Sequence, residues 1–523
     1  MPSYLTPGVY IEEIPSGARP IEGVPTSVTA FVGRPFRGPA NEPVRIGSWD
    51  DYVAHFADPT SGTGVSPTTD GSGNPTDHMA LAVRAFYQNG GQAAYICRVV
   101  DADTTPVAAS TTLGNGSGDV LTVSASSVGA WANDLHILIE HGATADEFNL
   151  TVGTRENNTG PFEALHGETF EGLTTDPTDD TFFEKVINGG SNLIQVSLEA
   201  GASGRPDETL PNGTQLNTDT AGSSGTPDAA DYTSFYNTTL RKYRDFSIMV
   251  LPGEQWANDG TGNAVISNTV TFCETHGRSV LIVDPPDTPE LDTPVEVTDM
   301  SLPTSTYTAL YYPWVTVRNP LYDPDRNPTA PSTINIPPSS IAAGLWTQTD
   351  GKRGVWKAPA GVEARINAAG LQYNVEDLEQ SVLNPLGVNC IRHRAGYGRV
   401  VWGARTLATK ASPEWRYVPV RRTAIYIEQS IYNGIQWAVF EPNADPLWSS
   451  LRINIGSFMN SLFRAGAFQG TTANDAYFVR CGLGDTMTQG DIDRGQVIIV
   501  VGFAPLKPAE FVILRIQQKV NQQ

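Results

Sequence analysis

The sequence predicts an α/β fold class: a layered α/β core, interrupted by a β-rich acidic insertion domain, with extended N- and C-terminal β-strand arms. Three observations support this prediction. Near-continuous apolar strands alternate with helical patterns in two separate stretches of the chain. An acidic segment rich in Ser, Thr and Gly lies between those stretches. Short apolar strands next to prolines stand near both termini.

Length and composition predict several domains. The chain has 523 residues, of which 40% are hydrophobic, whereas a single core stops growing at roughly 250–300 residues. We divide it into an N-terminal arm (1–25), a first core part (26–102), an inserted outer domain (103–230), a second core part (231–384), a C-terminal domain (385–504) and a C-terminal arm (505–523).

The formal net charge of −22 is unevenly distributed. Residues 103–230 contain 19 acidic and three basic side chains, whereas residues 350–523 contain 14 acidic and 19 basic ones. Such asymmetry usually separates a solvated surface from a surface that meets a partner. The overall acidity argues against general nucleic-acid binding.

The first core part begins with a strand, a helix and a strand. Ser27–Gly33 has the composition of a buried strand. Asp77 can cap a helix over Met79–Gln88, which the following Asn-Gly-Gly ends. Ala94–Val100 is then an almost continuous apolar strand. This order is typical of the start of a layered α/β sheet.

The second core part repeats the pattern. Phe246–Leu251 and Ser279–Asp284 are apolar strands, and Ala264–His276 between them has helical spacing and is ended by Gly277. The three elements predict a parallel βαβ unit. Between the two core parts, short alternating pieces predict a small β domain, and its tail, Gly201–Ala230, reads as a long exposed loop.

Both chain ends carry a short strand bounded by proline. Near the N-terminus, Gly8–Ile14 lies between two prolines, which fits an edge strand or an extended arm. Near the C-terminus, Gln496–Gly502 predicts a buried strand, and Glu510–Ile516 predicts a second strand behind Pro505 and Pro508. The last strand either docks into the sheet of its own subunit or pairs with another chain.

A helix in the C-terminal third has two distinct faces. Asp445 can serve as its N-cap, and Gly466 lies just past its end. The apolar residues fall on one arc, and Arg452, Asn460 and Arg464 fall on a polar stripe. The helix is either an ordinary amphipathic surface helix or a basic face that docks on an acidic partner.

The sequence predicts no catalytic site, no metal site and no cofactor. It contains no Walker phosphate loop, no His-Glu-x-x-His and no Gly-x-Ser-x-Gly. The segment that starts at Asp323 opens like a calcium loop but has Pro328 where glycine is needed. Asp284 stands where an α/β enzyme can hold an acid, but the two prolines after it favour a turn-forming role.

Cysteine usage and the N-terminal sequence indicate the compartment. Buried free thiols are expected for the four cysteines, which have no metal-ligand spacing and stand beside apolar residues: Cys97, Cys273, Cys390 and Cys481. The N-terminus shows no signal-peptide pattern, and no apolar run approaches the ~18 residues that span a bilayer. We therefore expect folding in a cytoplasm and no direct membrane insertion.

Ordered motifs along the chain resemble the contractile tail sheath family, which includes the sheaths of phage tails, bacteriocin particles and extracellular injection systems. The resemblance covers both ends and most of the core, and only weakly the acidic segment. The matching motifs are Thr6–Glu13, Pro20–Ser27, Ala30–Gly33, Tyr311–Trp314, Pro337–Ser339, Gly354–Pro359, Leu383–Asn389, Trp402–Leu407, Val439–Asn443 and Lys507–Phe511.

The resemblance implies a structural subunit and no enzyme. It implies six-membered rings stacked around an inner tube, with baseplate and terminator or cap proteins as further partners. Assembly in a bacterial cytoplasm and a final place in a phage tail or phage-tail-like particle are also implied. Terminal arms would add strands to neighbouring subunits. The implied arm residues are Val9, Tyr10, Ile11, Phe511, Val512, Ile513 and Leu514, and the implied tube-contact residues are Arg452, Asn460 and Arg464.

Two other classes of protein remain open on the residues alone. An α/β hydrolase fits the core pattern, but fold does not carry function and no site is visible. A capsid or surface-layer subunit also self-assembles, although a surface-layer protein should show a secretion signal.

Overall fold

A computed structural model describes residues 20–257, 259–287, 291, 294–325, 327–408, 410–511 and 513. The chain divides into two compact units. One unit comprises Met1–Val24 and Tyr426–Lys507, and is called the small unit below. The other comprises Pro25–Ile425 and Pro508–Gln523, and is called the large unit.

The strands of the described residues are numbered in chain order. They are β1 (Val28–Gly33), β2 (Pro43–Ile46), β3 (Ala93–Arg98), β4 (Ser110–Asn115), β5 (Gly118–Ala125), β6 (Leu135–His141), β7 (Phe148–Arg155), β8 (Phe162–Leu173), β9 (Ile194–Leu198), β10 (Thr214–Gln215), β11 (Ile248–Val250), β12 (Val280–Val283), β13 (Thr308–Tyr312), β14 (Val315–Arg318), β15 (Thr333–Ile336), β16 (Gly370–Leu371), β17 (Val388–Arg394), β18 (Gly398–Val401), β19 (Tyr477–Arg480) and β20 (Val500–Phe503).

The helices are numbered in the same way. They are α1 (Trp49–Phe56), α2 (His78–Gln88), α3 (Phe183–Gly190), α4 (Ala229–Thr238), α5 (Ala264–His276), α6 (Pro294–Asp299), α7 (Ser339–Arg353), α8 (Asp377–Leu383), α9 (Val418–Gly434), α10 (Asp445–Arg464), α11 (Ala473–Ala476) and α12 (Gln489–Asp493). The division between the two units falls within α9, after Ile425.

An eight-stranded sheet forms the centre of the large unit, in the order β18-β17-β13-β12-β11-β1-β3-β2. The strands from β17 to β3 are parallel to their neighbours, and β18 and β2 are antiparallel strands at the two edges. Parallel strands buried on both faces read as continuous apolar runs. The predicted α/β core is confirmed.

Helices cover both faces of this sheet. Helices α1, α2 and α7 share one apolar cluster, in which the fully buried Trp346 donates a hydrogen bond from its indole nitrogen to the hydroxyl of Tyr311 at 2.8 Å. Helices α4 and α5 share the cluster on the opposite face, where the hydroxyls of Tyr236 and Thr269 are 2.7 Å apart. The layered arrangement therefore buries both faces of every central strand.

Two helix predictions are confirmed at their ends. Asp77 is the N-cap of α2 and accepts a hydrogen bond from the amide of Ala80 at 3.0 Å. Helix α5 spans the predicted residues, and Gly277 ends it in the left-handed conformation at φ 61°. Both ends follow from local capping chemistry that is readable in the sequence.

The segment between the two core parts is built from antiparallel strands. It contains one sheet in the order β10-β6-β7-β8 and another in the order β4-β5-β9, with a shared apolar cluster that includes Leu121, Ile137 and Phe148. The tail, 201–230, is mostly an exposed loop, as predicted, but it is anchored at several points. Leu216 is fully buried, and Ser223 exchanges backbone hydrogen bonds with Val107.

The large unit extends further along the chain than predicted. Strand β17 pairs with β13, from Leu310–Val388 to Tyr312–Cys390, and β18 pairs with β17. Both therefore belong to the core sheet, and the C-terminal unit starts at Tyr426 instead of residue 385. The cause is a pairing between strands far apart in sequence, which no local signal at residue 385 reports.

Candidate assembly interface

Helix α10 is the longest helix of the described residues in the small unit, and its apolar arc lies as predicted. Leu451, Ile455 and Met459 are buried. The predicted cap differs: Ala444 is the N-cap, with extended backbone angles, and Asp445 occupies the first helical position. At that position its carboxylate still complements the helix dipole. The helix is amphipathic, and its polar face is the candidate contact surface.

The three predicted tube-contact residues are placed differently on α10. Arg452 is half-buried and donates hydrogen bonds to the carbonyl oxygen of Cys481 and, at 2.9 Å, to the hydroxyl of Ser449. Asn460 is half-buried and Arg464 is exposed. Only Arg464 therefore presents an exposed cation. Ile453, which is not among the predicted contact residues, is 68% exposed on the same helix.

Strands β19 and β20 form a two-stranded antiparallel sheet in the small unit, from Tyr477–Phe503 to Arg480–Val500. The prediction of a buried strand over Gln496–Gly502 is wrong, because β20 starts only at Val500 and no residue of it is buried. Phe478, Ile498 and Val500 are exposed. Two strands have too little neighbouring structure to cover their apolar side chains.

A turn before α10 carries a second exposed apolar group. Phe440 is fully exposed and has a positive φ of 69°, and Val439 beside it is also exposed. A left-handed conformation is uncommon for a bulky residue and marks a special position. In the sequence, both residues belong to the motif Val439–Asn443. The sequence signal for an exposed turn is this apolar pair directly before Glu-Pro-Asn, a turn sequence.

The predicted arm residues are only partly described. Phe511 and Ile513 lie outside any strand and are 74% and 78% exposed. Val512 and Leu514, like Val9, Tyr10 and Ile11 of the N-terminal arm, lie outside the described residues. Pairing of either arm with another chain therefore stays a prediction.

A cleft of about 320 Å³ opens in the large unit, lined by Asp284, Trp314 and His78 among others. The predicted turn role of Asp284 needs correction. Its buried carboxylate accepts hydrogen bonds from the amide of Ser339, at 2.9 Å, and from the Ser339 hydroxyl, at 2.6 Å, and so caps the first turn of α7. Burial raises the pKa of Asp284 to about 7, against the opposing effect of these two bonds. Its oxygens are occupied by structural bonds.

The cysteines are buried free thiols, as predicted. Burial raises the pKa of Cys273 and of Cys390 to about 12, so both thiols stay protonated near neutral pH. Within the described ranges, no group of three His, Cys, Asp or Glu side chains is arranged to hold a metal ion. The described part of the chain also has no helix with the length and apolarity to cross a membrane.

Two family models match the chain. The phage tail sheath protein central domain matches residues 224–407, and the phage tail sheath C-terminal domain matches residues 410–519. A prophage major tail sheath protein of Pseudomonas aeruginosa strain UCBPP-PA14 is 27% identical over 180 residues, which are 33% of this chain. That alignment spans 44% of the length of the relative.

Solved structures with the same fold match over nearly the whole chain. A chain of the anti-feeding prophage baseplate, 6-fold symmetrised, is 25% identical with a TM-score of 0.57, and the alignment covers 99% of this chain and 100% of that one. The sheath complex of an extracellular contractile injection system, PVC, in the contracted state is 24% identical with a TM-score of 0.59, with 99% of both chains covered. The similarity to the PVC sheath chain shows that the two chains share a fold.

The fold and the two matched domains define a structural protein of contractile tail-like particles. The chain belongs to the contractile tail sheath family. Its family is built of structural subunits, so the chain is a sheath protein and not an enzyme.

Proposed function

We propose that this chain polymerises as six-membered rings, stacked helically around an inner tube, and that contraction of this sheath drives the tube through a target envelope. The observation that carries the proposal is the incomplete sheet of the small unit. Within the described residues, strands β19 and β20 form a ladder only with each other and leave apolar side chains exposed. Such a sheet is marginal in isolation and gains stability when further strands are added.

The terminal arms supply suitable strands. An extended segment that joins a sheet edge gains main-chain hydrogen bonds, and its alternate side chains pack on the sheet face. The exposed Phe511 and Ile513 are two residues apart, so in a strand they point to the same face. We propose that arms of neighbouring copies complete the β19–β20 sheet, which links subunits in an open, heterologous assembly.

The exposed face of α10 is the proposed contact with the inner tube. Arg464 is the principal charged contact, and Asn460 lies one turn away on the same helix. Because Arg452 already binds within the small unit, we expect it to position the helix and to contribute less to tube binding. An exposed charge contact is weak and salt-sensitive, which suits a surface released on contraction.

The proposed partners are further copies of the chain, the inner tube protein, and baseplate and terminator proteins. Similarity to a chain of a symmetrised baseplate complex supports the baseplate contact. Assembly is proposed to take place in a bacterial cytoplasm. We propose no nucleic-acid partner and no membrane insertion. An extended sheath would store free energy in interfaces that form only on contraction.

Electron microscopy of the expressed protein tests the proposal. We expect hollow cylinders with six-fold rings from the full chain. Deletion of Met1–Ile14 or of Phe511–Gln523 should leave folded subunits that do not polymerise. Replacement of Ile498 and Val500 by serine should have the same effect, because it removes the apolar surface for the added strand.

Leu378→Ser is the matched control, because Leu378 is equally apolar and 79% exposed but lies in the large unit. It should leave polymerisation unchanged. Normal cylinders from the two truncated chains would contradict the proposed role of the arms. Uniformly monomeric full-length protein would contradict the proposed function.

A further inference from the structure

The chain re-enters the large unit at Pro508, and two residues later Glu510 is held by two side chains of that unit. Arg405 donates from Nε to one carboxylate oxygen of Glu510 at 2.8 Å and from a terminal guanidinium nitrogen to the other oxygen. The hydroxyl of Tyr417 donates to that second oxygen at 3.0 Å. A two-point guanidinium–carboxylate contact fixes direction as well as distance.

This three-residue contact, the Glu510 clamp, is largely closed to water. The side chains of Arg405 and Glu510 are 7% and 16% exposed. The Arg353–Glu363 pair, with side chains 52% and 65% exposed, is open by comparison. Solvent screens an open pair and leaves it with little net energy, whereas a closed pair with complete hydrogen bonding is selective for its partner.

The clamp residues are themselves fixed before Glu510 arrives. Arg405 also donates to the carbonyl oxygen of Asn384 at 3.0 Å, and its amide donates to the buried side chain of Asn389 at 2.6 Å. The amide group of Asn389 donates to the carbonyls of Leu310 and Arg405. The backbone of Arg405 is thus held by Asn389 of β17 and its guanidinium by the carbonyl of Asn384, so binding of Glu510 requires little further ordering.

Electrostatics keep the clamp closed near neutral pH. Burial disfavours the charge of Arg405, but the hydrogen bond and charge of Glu510 outweigh it, and the pKa of Arg405 lies above its ordinary value. Burial, followed by the charge of Glu510, also raises the pKa of Tyr417, whose phenol therefore keeps the proton that it donates.

The chain on either side of the clamp is different. Pro505 and Pro508 precede it and restrict the backbone. Phe511 and Ile513 follow it with exposed side chains. In the part of the chain that the structure describes, Glu510 is the last residue with a side-chain hydrogen bond.

We infer that Arg405 and Tyr417 form an anchoring site for Glu510, which fixes the root of the C-terminal arm on the large unit, so that the segment after Glu510 is the part that reaches a neighbouring subunit. The inference rests on the proposed function, because it assigns the site that positions the proposed arm. Release of the clamp lengthens the free segment back to Pro508, by about 10 Å.

The first test uses unassembled subunits of the full chain and does not depend on polymerisation. Glu510→Gln keeps the shape of the side chain and removes its charge. We expect hydrogen exchange at the amides of Thr406 and Val418, which are hydrogen-bonded beside the clamp, to become at least ten times faster. The main thermal transition should stay nearly unchanged, because Arg405 regains water when the arm leaves. Glu363→Gln breaks the exposed pair with Arg353 and is the matched control.

Two further variants should change the hydrogen-exchange rate by different amounts. Tyr417→Phe removes one hydrogen bond and should speed exchange less than Glu510→Gln does. Arg405→Lys keeps the charge and loses the two-point contact, and should open the clamp like Glu510→Gln. If Arg405→Lys lowers the main transition, the Tyr417 and Glu510 variants still decide the matter. Unchanged exchange in Glu510→Gln would overturn the inference.

The second test separates the inference from the proposed function. If the wild-type chain forms regular cylinders, Glu510→Gln subunits should form short or irregular polymers. A longer free arm fixes the spacing between subunits less precisely. Regular polymers from subunits with an open clamp would overturn the anchoring role. Failure of the wild-type chain to polymerise would refute the sheath proposal, and the exchange data would still decide whether the clamp holds the arm root.

Discussion

The central sheet of the large unit and the sheet of the small unit represent two uses of β-structure. The first has eight strands and is covered by helices on both faces, so that strands such as β1 are completely buried. The second has two strands, and no residue of β19 or β20 is buried. Stability is concentrated in the first sheet. Within the described residues, the second sheet has few strands and can accept further ones.

Ion pairs follow the same division and give the largest expected difference. Arg422 and Asp350 of the large unit are 3% and 4% exposed, whereas Arg480 and Asp485 of the small unit are 58% and 36% exposed. Arg422→Met leaves a buried carboxylate without its partner and should cost about 3–5 kcal/mol in denaturant unfolding. Arg480→Met should cost at most about 1 kcal/mol. Equal losses of unfolding free energy in the two variants would contradict the proposed difference between the two units.

Acidic caps of the two units should respond to pH with opposite sign. Burial raises the pKa of Asp284, so the folded protein binds this proton more tightly than the unfolded chain does. Its contribution is fully present below pH about 4 and is lost as the pH rises through about 7, up to roughly 4 kcal/mol in all. Asp284→Asn should flatten the pH dependence of unfolding in that window.

Asp491 of the small unit is the counterpart. Hydrogen bonds from the amide and hydroxyl of Thr488 lower the pKa of Asp491. Its contribution is therefore present above the unfolded pKa and is lost as the pH falls. Asp491→Asn should remove an acid-induced loss of stability and leave the neutral window unaffected. If the stability contributions of Asp284 and Asp491 were lost in the same direction of pH, burial would not be the factor that controls the two responses.

Matched valines give the smallest expected difference. Val250 of β11 is fully buried, and Val500 of β20 is 42% exposed. Val250→Ala should lower the free energy of unfolding by about 2–3 kcal/mol, because it removes buried surface and leaves a cavity. Val500→Ala should cost about 1 kcal/mol or less and act mainly on polymerisation. Chemical denaturation and light scattering distinguish these outcomes.

Local chemistry made the core helices predictable. The cap Asp77 and the left-handed Gly277 define helix ends within a few residues, and the apolar runs of the parallel strands require burial on both faces. Strand β17 could not be assigned to the core sheet in this way, because its partner β13 lies far back in the sequence. Family motifs, and not physical patterns, supplied the function.

The candidate site was less predictable. An apolar run such as Gln496–Gly502 reads as a buried strand, and its half-exposed state depends on how few strands its sheet contains. Arg452 reads as an outward cation, but a carbonyl of a distant residue, Cys481, accepts its hydrogen bond. In both cases the deciding neighbour is set by tertiary structure, which the sequence pattern does not encode locally.

The strand order of the central sheet also constrains the time course of synthesis. Strand β1 pairs with β11 through Thr29 and Ile248, and the sheet continues to β18 at Val401. Its middle therefore cannot close on the ribosome until the entire antiparallel segment has been made. Strands β4 to β10 have their ladder partners between residues 110 and 215 and can pair earlier. We expect β1 and β3 to wait as a nascent, incomplete sheet edge, which makes this stage of translation the most exposed to aggregation.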